Sequence, residues 1–200
     1  PSAITGGVFG SAGQRSTATS RVIAAPSVKD KLLERLVEGA QKIKLGSGLD
    51  ESVDMGPAVD EKQWKTDLDY LRIGSEEGAR LVIGGKRPEY LAKGYFVEPT
   101  IFDNVGPDMR IFKEEIFGPV LSVTTAKSLE EALQFANGVE YGLTTSIFTD
   151  NVDTIMNFVE EVETGMVHVN EPTIGGEAQL PFGGTKATGV GEREMAEEGL

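Results

Sequence analysis

Ser16 stands between Arg15 and Thr17 and is the first side chain to test for chemistry. A serine hydroxyl is a weak nucleophile near neutral pH and works only beside a group that takes its proton. The chain holds one histidine, His168, set between two valines, and no cysteine. No G-x-S-x-G elbow surrounds Ser16, so a Ser-His-Asp arrangement fits poorly. No G-x-G-x-x-G follows a strand, and Gly184-Thr-Lys186 interrupts the end of a P-loop, so neither phosphate-cradling fingerprint is present. Without cysteine there are no disulfides and no thiolate metal sites, and one histidine disfavours a histidine-built zinc site. No metal is expected.

The elements that must position these residues alternate in type. Gly-interrupted helical spacing runs from about Ala3 to Ser16, and Arg21-Val-Ile-Ala24 reads as a strand. Ser27, with Asp30 three residues on, suggests a capping box opening a helix whose inward face is Leu32, Leu33, Leu36, Val37, Ala40 and Ile43. A Gly/Ser-rich loop follows through Pro57, then an amphipathic helix from about Asp60 to Glu77. Leu81-Val-Ile83 reads as a buried strand, and Gly94 to Phe102 as extended, with Pro99 marking an edge or irregular position. A strand is expected over 119–124, a helix opened by Ser128, and a strand-like stretch from Tyr141 to Phe148. The helix over Asn151–Glu163 should turn Val152, Ile155, Met156, Val159 and Val162 inward. Met166-Val-His-Val169 is a last short strand before a Gly/Pro-rich tail. This alternation predicts an α/β fold, a largely parallel sheet with helices on both faces, in one domain over residues 1–200.

With 32 acidic and 19 basic residues the net charge is −13, which opposes binding to nucleic acid or an anionic membrane surface. No apolar run approaches the ~18–20 residues that cross a bilayer. A soluble, cytoplasmic protein is expected.

Six ordered motifs carry a resemblance. Phe9-Gly-Ser-Ala-Gly-Gln-Arg-Ser16 resembles the F-x-x-x-G-Q-x-C segment of aldehyde dehydrogenases, with Ser16 in the cysteine position. Gly94 to Thr100 resembles G-x-[YF]-x-x-P-T, and Glu114-Glu-Ile-Phe-Gly-Pro119 resembles E-E-x-F-G-P. Asn137 to Leu143, Gly165 to Asn170 and Pro181 to Gly189 are similar to A-N-x-x-x-Y-G-L, G-x-V-x-V-N and P-F-G-G-x-K-x-x-G. The chain is thus identified as similar to that family over nearly its whole length, with a Rossmann-like catalytic domain implied.

The resemblance implies a function. In the family a thiolate attacks an aldehyde, hydride passes to NAD or NADP, and a thioester is hydrolysed. Carried over, Ser16 occupies the nucleophile position, and Glu115, Phe117 and Gln63 fall at cofactor-binding positions. Arg15, Thr17, Asn170 and Phe182 fall at substrate-binding positions. The family's general-base glutamate and cofactor domain lie upstream of the stretch matched here. The resemblance therefore implies a catalytic domain alone, inactive with serine at position 16, and a homo-oligomer as parent. Texture around Arg15 and Asn170-Glu-Pro-Thr173 is nearest to bacterial 2-oxoglutarate semialdehyde enzymes, and Arg15 suits a substrate carboxylate. Plainer readings stand beside these: Glu115 as a surface acid, Phe117 and Phe182 as core aromatics, Asn170 as a turn cap, Arg15 as a solvated side chain. A non-catalytic relative serving as a binding or structural protein is the alternative function.

Overall fold

The structure, a computed structural model, describes residues 1–190 and 193–195. It divides into two compact units, residues 1–125 and 126–200. The first contains α1 (Ser2–Phe9), a 3-10 turn (Gly10–Gly13), β1 (Arg21–Ala24), α2 (Pro26–Gln41) and α3 (Glu61–Glu76). It continues with β2 (Arg80–Ile83), β3 (Thr100–Asp103), the short α4 (Arg110–Lys113) and β4 (Val120–Thr125). The second contains α5 (Leu129–Asn137), β5 (Tyr141–Gly142), β6 (Thr144–Ile147), α6 (Val152–Glu161), β7 (Met166–Val169) and β8 (Thr185–Lys186).

Local capping explains where several helices begin. Asp60, Ser128 and Asn151 each accept the N–H three residues ahead, from Gln63, Glu131 and Thr154, satisfying a donor that the first helical turn leaves unpaired. Ser27 does not play this part. Helix α2 starts at Pro26 with no side-chain cap, because proline's fixed φ and missing N–H suit the first helical position. The expected helix through Ser16 also stops early, at Phe9.

The first unit is built on one sheet ordered β1-β4-β3-β2, with β1 and β3 parallel to β4 and β2 antiparallel at the edge. β3 is wholly buried and β4 nearly so, as strands covered on both faces are, and they carry Thr100, Asp103, Ser122 and Thr124 into the interior with their apolar residues. Ile101, Leu121 and Val123 join Val8 and Phe9 of α1 and Leu33, Leu36 and Ala40 of α2 in one core cluster. On the other face Ser122 Oγ donates to the Ile111 carbonyl of α4 at 2.9 Å, and Glu77 after α3 accepts the Arg110 N–H at 2.9 Å. Helices therefore cover both faces. Pro99 immediately precedes interior β3, where no ladder donor is needed. β2 is not the buried strand its sequence suggests. It is an edge, and Leu81 is 43% exposed.

In the second unit β6 and β7 pair in parallel and β5 pairs antiparallel with β8, so the Tyr141–Phe148 stretch divides into two strands. Asn137 joins the ends of α5 and α6: its Nδ2 donates to the Glu161 carbonyl at 2.8 Å and its Oδ1 accepts the Glu163 N–H at 2.9 Å. Lys186 Nζ donates to the Asn137 carbonyl at 2.7 Å. α6 does not bury the face expected. Phe158 is its buried residue, while Val152, Met156 and Val159 are 67%, 52% and 44% exposed.

Asp103 closes β3 with no exposure, and its Oδ2 accepts from Arg80 Nη2 at 2.6 Å. Its Oδ1 lies 2.8 Å from Lys29 Nζ, an ion pair in contact though not aligned as a hydrogen bond. Burial alone would raise this carboxyl; the two cations outweigh it and hold it below the usual range. Because the folded state binds this proton less readily than the unfolded one, its stabilisation is full above the ordinary carboxylate pKa and fades as pH falls below it. Asp103→Ala leaves the mostly buried Lys29 without its counter-charge, holding only the neutral Asn104 Oδ1 at 2.8 Å, and is expected to cost about 3 kcal/mol, read as a lower urea midpoint at neutral pH, with the gap closing in strong acid.

Candidate active site

Past α1 the backbone enters the left-handed region at Ser11 (φ 54°), Ala12 (φ 54°) and Gly13 (φ 72°). For residues with a Cβ this costs roughly 1–2 kcal/mol each, so surrounding contacts must enforce it. Gly13 shows the constraint: a Cβ built there would lie 2.1 Å from the Gly118 carbonyl oxygen. Only glycine lets the turn approach so closely. Gln14 ties the turn to a second segment, donating from Nε2 to the Pro57 carbonyl (3.3 Å) and accepting the Val59 N–H at Oε1 (2.8 Å). Sequence reasoning gave Gln14 no role. Arg15 Nε donates to Ser11 Oγ at 3.0 Å. Ser16 is exposed in a turn closed by the Ala18 N–H on the Arg15 carbonyl. Neither its Oγ nor its N–H is engaged by another described residue. Thr17 beside it is half-buried.

The segment from Glu114 to Gly118 meets this turn, and its two glutamates differ sharply. Glu114 takes both Arg110 Nε (2.8 Å) and Nη2 (2.9 Å) and the Tyr70 hydroxyl (2.6 Å). The Arg110 and Tyr70 bonds hold its carboxyl below the usual range, while burial and that same carboxylate push the Tyr70 phenol up to about 12. Glu115 is exposed and makes no hydrogen bond or ion pair with any other described residue. The structural acid is therefore Glu114, and Glu115 is left available. Phe117, 37% exposed, sits at φ 59°, an outlier for a bulky residue. An acceptor-only carboxylate and an open ring face on one short loop suit a ligand with paired hydroxyls and a flat ring, so these residues fit a nicotinamide-ribose group.

Gln63 and Asp67 hold this loop from α3. Gln63 Nε2 donates to Asp67 Oδ1 (2.7 Å) and to the Ile116 carbonyl (2.9 Å). Both amide hydrogens are thus spent inside the protein. Asp67 is 1% exposed, its Oδ2 has no partner, and a Cβ at Gly118 would fall 2.1 Å from its Oδ1. Sequence reading passed over Asp67. The signal was its place four residues after Gln63 and four before buried Leu71, on the inward face of the helix.

The second unit holds the remaining candidates. Asn170 (φ 59°) ends β7 with its side chain committed: Oδ1 accepts the Thr149 N–H at 3.0 Å and Nδ2 donates to the Thr149 carbonyl at 3.1 Å. That is the turn-capping arrangement its residue type allows. Phe182 is half-buried and exchanges backbone hydrogen bonds with Glu194. His168 lies on β7 opposite Ser146, with Nε2 buried and unpartnered. Among the described residues no cluster of three or more metal-ligating side chains occurs, and no helix is long and apolar enough to cross a membrane.

The turn carrying Ser16 thus packs on the loop carrying Glu115 and Phe117, beside a mostly parallel α/β sheet. Residues 2–200 match the aldehyde dehydrogenase family, and the chain belongs to it. It is 50% identical over 199 residues to a 2,5-dioxopentanoate dehydrogenase of Saccharolobus solfataricus, covering 99% of this chain and 41% of that protein. It is 43% identical over 197 residues to an alpha-ketoglutaric semialdehyde dehydrogenase of Bacillus subtilis, covering 98% and 40%. The crystal structure of a betaine aldehyde dehydrogenase from Staphylococcus aureus in complex with NAD+ superposes with TM-score 0.92 at 37% identity, over 98% of this chain and 39% of that one. The chain spans about two fifths of the length of these relatives.

Burial drives the Asp67 carboxyl up to about 7, and the Gln63 amide offsets only part of this. The folded state therefore holds a proton that the unfolded chain releases near pH 4, so stability falls as pH rises between those values. Ionising the buried group costs on the order of 4 kcal/mol. Asp67→Asn cannot ionise, so its stability relative to the unsubstituted chain should improve from about pH 5 to about pH 8. Urea midpoints of both proteins at the two pH values test this, and an unchanging difference refutes it.

Proposed function

We propose that this chain is the catalytic domain of an NAD(P)-dependent aldehyde dehydrogenase acting on a semialdehyde. The observation that carries this reading is the contact of Gly13 with Gly118, which joins the Ser16 turn to the Glu115–Phe117 loop. Each named residue lies within three positions of that contact.

In this reading the carbonyl carbon of the aldehyde lies over residue 16, whose free backbone N–H donates to the developing oxyanion. Glu115 accepts the ribose hydroxyls, and Phe117 offers its face to the ring. When bound, the nicotinamide group supplies the hydride acceptor. Arg15 is held at Nε by Ser11, which leaves both Nη groups for a carboxylate at the far end of the substrate, the bidentate geometry guanidinium favours. The names of the two semialdehyde relatives agree with such a substrate. NAD is favoured by the NAD+-bound structural neighbours. The exposed stripe of Phe148, Val152, Met156 and Val159 supports self-association of the whole protein.

Ser16 itself favours the second reading, a non-catalytic relative, because no thiol is present to carry the covalent step. The two readings separate in the intact protein bearing this chain. With Ser16, NAD(P)H formation from a semialdehyde should stay at background. Ser16→Cys should raise it by at least about a thousandfold, as expected for supplying the covalent nucleophile. No gain with cysteine selects the non-catalytic protein.

In that cysteine form, Arg15→Ala should raise KM for a carboxylate-bearing aldehyde by about 10- to 100-fold and leave a neutral aldehyde nearly unchanged. Equal changes for both substrates remove Arg15 from substrate recognition.

A further inference from the structure

A buried carboxylic acid with one oxygen unpartnered is an expensive choice where an apolar side chain would pack freely. Asp67 is such a residue, and nothing in the proposed chemistry uses it. Its surroundings show what it holds. Gln63 Nε2 donates both to Asp67 Oδ1 and to the Ile116 carbonyl. Because both partners are acceptors, the amide can present only its NH2 group to this corner. Take away the Asp67 oxygen and Gln63 loses the partner that orients it toward the loop. The same Oδ1 packs on the Cα of Gly118, whose carbonyl oxygen in turn packs on the Cα of Gly13.

Between the two clamped peptides lies Phe117, at φ 59°. A left-handed phenylalanine persists only where neighbours over-determine it. Ile116 is gripped on one side by Gln63, and Gly118 is wedged on the other between Asp67 and Gly13. The geometry points to Asp67 as a positioning residue for dinucleotide capture: with Gln63 it clamps the Phe117 backbone against the nucleophile turn and so fixes where Glu115 and Phe117 meet the cofactor. This rests on the reading of those two side chains as cofactor contacts, whereas the clamp itself is a property of the fold alone.

The experiment is hydrogen–deuterium exchange on the intact protein without cofactor or aldehyde, comparing the unsubstituted form with Asp67→Ala and Asp67→Asn. Asparagine keeps an acceptor oxygen for Gln63, and alanine does not. In Asp67→Ala the amides of residues 115–118 should exchange about tenfold faster while those of β1 and β4 are unchanged, since local opening need not involve the core. Asp67→Asn should stay within about twofold of the unsubstituted protein. Should alanine prevent folding, Gln63→Leu removes the same link and should give the same local acceleration. Unchanged exchange, acceleration spread over the whole unit, or equal effects of alanine and asparagine would each overturn the clamp. A parallel titration with NAD+, read by calorimetry, should show the dissociation constant rising about tenfold in Asp67→Ala and not in Asp67→Asn. Local loosening with unaltered NAD+ affinity overturns the positioning role. An unsubstituted protein that binds neither NAD+ nor NADP+ sinks the cofactor reading of Glu115 and Phe117 instead, and the exchange data alone then judge the clamp.

Discussion

One peptide unit governs the geometry of the candidate site. Gly118 sits with a carboxyl oxygen against its Cα and the backbone of Gly13 against its carbonyl, and no side chain larger than hydrogen fits at either glycine. The left-handed run at Ser11 and Ala12, the outlying Phe117 and the exposed Ser16 all lie within three residues of this contact. Strain of this kind is stable only when packing on both sides leaves no alternative. Here that packing comes from α3 beneath and from the Gln14 link to Pro57 and Val59 beside the turn.

A division of labour between adjacent residues recurs around this joint. Glu114 is locked by Arg110 and Tyr70 while Glu115 is free. Gln63 spends its donors on Asp67 and the Ile116 carbonyl while Phe117 keeps an open ring face. In the second unit the same holds for motif residues that look chemical in sequence. Asn137, Lys186 and Asn170 are hydrogen-bonded to main-chain groups, so much of the family signature there describes architecture.

What the sequence made legible was local. Asp60, Ser128 and Asn151 announce their helices because an oxygen three residues ahead of a bare N–H acts within one turn. The β1 and β7 strands, short and apolar, are equally self-contained. What it hid was tertiary. Helical spacing from Ala3 to Ser16 gives no hint that the backbone leaves the helix at Gly10 and then packs at Gly13 on Gly118, more than a hundred residues on. The inward placement of Asp67 has no propensity signal, since a carboxylate on a helix is ordinarily solvated. The apolar periodicity of α6 correctly marked an amphipathic helix but not what covers it, and Val152, Met156 and Val159 face outward.

That outward stripe coexists with a net charge of −13, and the two pull in opposite directions. In dilute buffer, mutual repulsion holds copies beyond the range at which greasy surfaces touch. Added electrolyte shortens that repulsion, to about 8 Å at physiological strength, while the exposed apolar area itself is unchanged. For this chain, ionic strength therefore sets how closely two copies can approach before charge turns them away.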